Sequence, residues 1–189
     1  MNTLAEAWRW YKETNRQLRL LERLGRRYWG DLPMDGPMGG DDAFRNQTAA
    51  AVQQAAHFSL AHLKDLAIVV LFSVFEAAVR RRTIVDLERQ EPAISHPALR
   101  GIIKEAKERI ELGSFFQVLE YYKPVMEPGL VEEVNQVRRY RNWVAHGKRG
   151  ELVAGVVPRV AYERLSRFLI MLGLDAGPDE GGDASPAAP

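Results

Sequence analysis

Between the glycine- and proline-dense segment GDLPMDGPMGGDD (30–42) and the break EPAISHP (91–97), the chain reads as one long helix. It runs from about Ala43 to about Gln90. Its first half is rich in Ala and Gln, its middle is the apolar run AIVVLFSVFEAAV (67–79), and its end is charged. A helix apolar on every side through its middle has to be enclosed by other helices. The run carries Glu76 and is too short to cross a bilayer as a helix, so a buried central helix is expected.

The rest of the chain supplies the neighbours. Residues 3–28 read as a helix in which Leu4, Trp8, Tyr11, Leu18 and Leu21 keep a helical rhythm. Lys12, Arg16, Arg19 and Arg23 form a basic stripe beside that face, read first as a solvated surface rather than an RNA track. Asp41 or Asp42 can cap the long helix and Ser95 a further helix over 97–111. A short helix is expected over SFFQVLEYY, then one over 130–146 stopped by Gly147. Pro158 suits the first turn of a last helix that ends near Gly173. Only ELVAGVV (151–157) hints at an extended piece. The expected architecture is all-α: an antiparallel helical bundle with a long central helix and an extra N-terminal helix. It forms a single domain over 1–174, with 1–42 as the N-terminal helix plus loop, and 175–189 as an acidic disordered tail.

Charge is distributed unevenly. The tail DAGPDEGGDASPAAP holds four acids and no base; without them, 26 basic residues face 21 acidic ones. A basic body is compatible with a polyanionic partner. There is no cysteine, which excludes disulfides, thiolate zinc sites and a cysteine nucleophile, and fits a reducing cytosol. The N-terminal MNTLAEAWRWYKE lacks the apolar core of a signal peptide, and the expectation is a cytoplasmic protein without membrane association.

The stretch RRYRNWVAHGKR (138–149) breaks the pattern of its own helix. At about 100° per residue, Leu130, Val134, Val137 and Val144 share a narrow sector, and Arg141 falls in the middle of it. A cation there needs a carboxylate partner or a cleft. Glu76 is the obvious carboxylate, though it also precedes Arg80 by four residues, a routine helix pair. Asn142 and His146 are four apart, so Asn142 can orient the imidazole. Arg141 and His146 lie roughly 140° apart on an ideal helix, so they converge only through distortion at Gly147 or across two chains.

Arg141-Asn142-Trp143-Val144-Ala145-His146 resembles the R-x4–6-H motif of the HEPN superfamily, including the polar residue after the arginine. The long helix with LFSVFEAAVRRR resembles the helix beside the motif helix in several such families, and the resemblance covers most of residues 43–173. It implies a small α-helical domain that acts as a metal-independent endoribonuclease, working as a dimer in toxin–antitoxin, phage-defence or RNA-processing systems. Arg141, His146 and Asn142 would be catalytic, Arg138, Arg139, Lys148 and Arg149 would hold RNA, and Glu76 would support Arg141. RNA, a second copy, and a cognate antitoxin or defence-system protein are the implied partners; no cofactor is implied. HEPN toxins paired with nucleotidyltransferase antitoxins often carry a tyrosine two residues after the histidine, the site of AMPylation. Here that position is Lys148, which argues against such control.

The residue types suit RNA cleavage by the 2′-hydroxyl. A base takes the 2′ proton, an acid protonates the departing 5′ oxygen, and a cation steadies the phosphate. Histidine serves both proton transfers, and arginine grips phosphate oxygens bidentately. One such histidine per chain makes a two-fold composite site attractive. No acid lies within 138–149, so a hard metal ion is repelled and no metal site is expected there. His57 and His62, five apart, and His96 before a proline do not form a metal set. Two other readings stand beside this one: His146 as a helix C-terminal cation with Arg80-Arg81-Arg82 and Arg138-Arg139 as solvated surface, and a catalytically silent HEPN-like module that binds a partner or a nucleotide.

Overall fold

Neither glycine nor proline occurs from Ala43 to Gln90, yet the helix does not start at Ala43. In the computed structural model, which describes residues 1–149 and 155–174, the order is α1 (Leu4–Arg23), a π turn (Leu24–Tyr28), a 3-10 turn (Trp29–Asp31), α2 (Pro37–Gly40) and α3 (Asp42–Arg45). There follow α4 (Ala49–Gln90), a 3-10 turn (Glu91–Ala93), α5 (Pro97–Leu112), α6 (Phe115–Tyr122), α7 (Leu130–Ala145) and α8 (Pro158–Met171). No strand occurs among the described residues, and the fold is all-α. Glu151–Ala154 of the suspected extended piece, and the acidic tail 175–189, lie outside the described residues.

The ends of the helices follow local chemistry. Asp41 caps α3, not α4, by accepting the N–H of Ala43 at 2.8 Å. The cap of α4 is Thr48, whose hydroxyl accepts the N–H of Ala51 at 3.1 Å. Ser95 caps nothing, because Pro97 opens α5 and leaves His96 in the cap position. Helix α1 ends at Arg23, and the expected remainder to Tyr28 winds as the π turn. Two helices end in a Schellman motif on a left-handed glycine. In α7 the N–H groups of Gly147 (φ +71°) and Lys148 return to the carbonyls of Val144 and Trp143, at 3.0 and 2.8 Å. In α8 Gly173 and Leu174 do the same to Ile170 and Leu169.

The described chain falls into two compact units, one of Met1–Trp8 with the residues from Ile68 onward, the other of Arg9–Ala67. The first holds the aromatic core. Ile68, Leu71, Phe72, Phe75 and Val79 recur at helical spacing along α4 and are sealed from solvent. Phe75 meets Phe115 of α6 and Phe168 of α8 edge to face, at 5.9 and 5.4 Å. Helices α7 and α8 pack antiparallel: Gln136 accepts from Arg164 while Glu133 pairs with Arg167. The second unit is a hairpin of α1 and α4 segments with a thinner core of Ala56, Leu63 and Ala67. Gly25 is needed there for close approach, since a Cβ would lie 2.9 Å from the backbone nitrogen of Gln53.

The helix around the apolar run is longer than the run itself. The run 67–79 is short, but over Ala49–Ala93 the helix is long and apolar enough, by length and composition alone, to cross a membrane. Only 39% of its most apolar window is buried inside the protein. A helix at the centre of a bundle meets the same length test.

Candidate functional site around the Arg141–His146 motif

Helix α7 resolves its misplaced charge with a carboxylate from α4. The Arg141 side chain is 30% exposed, and its Nη2 lies 3.7 Å from Glu76 Oε2. The guanidinium carbon sits 5.7 Å from the Phe72 ring centre, and Nη1 donates to Asn142 Oδ1 at 3.0 Å. Its Nε is buried and has no acceptor among the described residues. The arginine is therefore tethered but not saturated.

Glu76 serves a second guanidinium more closely. Its Oε1 accepts Arg80 Nε at 3.0 Å and Nη2 at 2.6 Å. Arg80 also donates to the carbonyls of Ile110 and Gly113, which gives the C-terminal end of α5 a cation, and its guanidinium carbon lies 5.2 Å from the Phe115 ring centre. Both pairings foreseen for Glu76 thus exist together. The one to Arg80 is a hydrogen bond; the one to Arg141 is a longer ion pair.

His146 is the C-cap of α7. Its N–H donates to the Asn142 carbonyl at 2.9 Å, and its ring is exposed, with no side-chain partner among the described residues. Asn142 does not orient the imidazole, because its side-chain oxygen is taken by Arg141. No hydrogen bond or ion pair joins Arg141 to His146 among the described residues, as their separation around the helix anticipated.

The four supposed RNA contacts differ. Arg138 donates to Asn135 Oδ1 at 3.0 Å and lies 5.1 Å from the Phe116 ring centre. Burial, with the neighbouring Arg139 charge, pulls its pKa below the usual arginine value. Arg139 is paired with Glu132. Lys148, left-handed at φ 58°, lays its ammonium 5.6 Å from the Trp143 ring centre, the contact that accompanies a Schellman stop. Arg149 is exposed and without a partner among the described residues.

Sequence reading missed Asn135, which is 1% exposed and holds Arg138. Asn135 lies about 100° around the helix from Val134, outside the apolar sector, so the helical period alone did not mark it as buried. It also missed Trp143, whose Nε1 is buried without a partner. Among the described residues no three His, Asp or Glu side chains gather as metal ligands would. A cleft of about 540 Å³ in this unit is lined by Leu4, Val74, Ala78, Val85 and Leu169 with Arg81, and no motif residue lines it. The motif end of α7 instead offers a surface on which a partly exposed cation and an unengaged imidazole stand on one helix end. Comparison of the chain with models of protein families, with curated proteins and with solved structures finds no match.

Proposed function

We propose that the chain is a metal-independent endoribonuclease of HEPN type, acting as a toxin or phage-defence effector in the cytoplasm. The observation that carries this reading is the state of His146: an exposed imidazole held by a glycine-stopped helix end, five residues from an arginine whose side chain is 30% exposed.

In the proposed reaction the 2′-oxygen of RNA attacks the adjacent phosphorus. A neutral histidine takes the 2′ proton, and the P–O5′ bond breaks. A protonated histidine gives its proton to O5′, leaving a 2′,3′-cyclic phosphate and a free 5′-hydroxyl. Arg141 and Arg149 balance the charge on the phosphate. Two histidines are required, and the second comes from the same position in a second copy, so the active form is a homodimer.

The test is RNA cleavage in excess EDTA with product ends read by mass spectrometry. His146→Ala and Arg141→Ala should each lower the rate about 10²- to 10⁴-fold while circular dichroism shows intact helices. Full cleavage by folded His146→Ala protein, or activity that magnesium restores after EDTA, overturns it. One observation favours a second reading, a catalytically silent partner- or nucleotide-binding module: Arg141 is tied to Glu76 and Asn142 rather than directed at the imidazole. A wild-type dimer that cleaves no RNA would establish that alternative.

A further inference from the structure

The hairpin unit carries a set of arginines that the protein itself does not use. Along α1, Arg9, Arg16, Arg19 and Arg23 fall within a sector of about 80° on an ideal helix, and residues 9 to 23 span about 21 Å. Lys12, which has a partner of its own, lies on the same sector. Arg26 and Arg27 follow on the exposed π turn. All six arginines are exposed. Among the described residues none of them has a hydrogen bond or an ion pair, and Arg19 is felt only by the phenol of Tyr11. The acids at hand do not answer them: Glu22 turns to His57 at 3.5 Å, and Glu13 stands outside the sector.

Elsewhere the same chain pairs most of its arginines. Arg80 meets Glu76, Arg82 meets Asp86, Arg159 meets Glu163 and Arg167 meets Glu127. Six like charges on one surface repel one another, and an ordered anionic partner removes that repulsion.

We infer that this α1 stripe is a docking track for the sugar–phosphate backbone of RNA; the choice of RNA over DNA rests on the ribonuclease reading above. Three features select a phosphate backbone. The cations recur about once per helical turn, about 5.4 Å, a spacing on the scale of successive phosphates along a strand. They are arginines with one lysine among them, and the guanidinium fork takes two phosphate oxygens at once. Between Arg9 and Arg23 no apolar residue lies within the sector, and the exposed Leu20 alone borders it. An amphipathic helix bound to an anionic membrane would present a broad apolar face alongside. Here Leu18 lines a groove with Phe58 and Leu63 of α4, on another side of α1.

The experiment is fluorescence anisotropy of the full chain with a 2′-O-methyl RNA strand, which reports binding whether or not the chain cleaves RNA. The variants are a triple Arg16→Ala, Arg19→Ala, Arg23→Ala protein and its Arg→Lys counterpart. The alanine triple should bind about tenfold or more weakly at ~0.1 M salt and lose about 2 from the log–log salt slope, at about 0.7 per phosphate contact on a single strand. The lysine triple should keep most of that slope, because it keeps the charge. Equal affinity of wild type and alanine triple overturns the proposal. So does a wild-type protein that binds phosphatidylserine vesicles, but not RNA, through these arginines. A chain that binds through the stripe yet cleaves no RNA refutes the ribonuclease reading and leaves the stripe standing.

Discussion

The two compact units treat the same residue types in opposite ways. From Ile68 onward, phenylalanines from α4, α6 and α8 interlock and most arginines, though not Arg81 or Arg149, are held by carboxylates, amides or carbonyls among the described residues. In Arg9–Ala67 the buried apolar side chains are alanines and one leucine, Asp65 is buried with them, and Phe58 is 66% exposed; Arg45 pairs with Asp42, but six arginines face outward without a counter-charge. Large interlocking side chains, each removed from water, are what make a core costly to disturb. A hairpin joined mainly through small residues has less apolar area to lose. The first unit is built for a fixed geometry. The second presents a surface.

The largest effect should come from the aromatic core. Phe75→Ala removes a ring with no solvent exposure that touches Phe72, Phe115 and Phe168, and should cost about 3–5 kcal/mol in urea unfolding. Leu63→Ala in the hairpin should cost less than Phe75→Ala. Equal losses would break the contrast between the cores.

Arginine replacements sharpen the comparison of charges. Arg80→Ala strips its hydrogen bonds to Glu76 and to the end of α5 and leaves that carboxylate half-buried; about 2–3 kcal/mol should be lost. Gly147→Ala comes next, at about 1–2 kcal/mol, because a Cβ is forced into the left-handed region at the stop of α7. The smallest effect belongs to Arg16→Ala, which should leave the unfolding midpoint in place, since it removes no contact and introduces the best helix former. A clear loss at Arg16 would show that the stripe is a structural element and not a free surface.

Much of this was legible without coordinates. The all-α class, the long central helix, the start of α8 at Pro158 and the stops at Gly147 and Gly173 all follow from signals spread over a few residues. So does the buried sector of Leu130, Val134 and Val137, which needs only the helical period. Even the guess of Glu76 for Arg141 came from a simple rule, that a cation on an apolar face needs an anion.

What the sequence by itself determined about this protein is therefore local: which segments are helical, where most of them end, and which face of each is apolar. The tertiary structure decided what depends on residues far apart in the chain. It divided Glu76 of α4 between Arg80 and Arg141 of α7, tied Arg80 to the end of α5, and joined Glu133 of α7 to Arg167 of α8. It also separated the arginines that are paired from those that are not. The reason is physical. Helix periodicity and caps are set by backbone geometry within about one turn, whereas the partner of a charge is whichever opposite charge the packing brings near, and sequence order does not encode that distance.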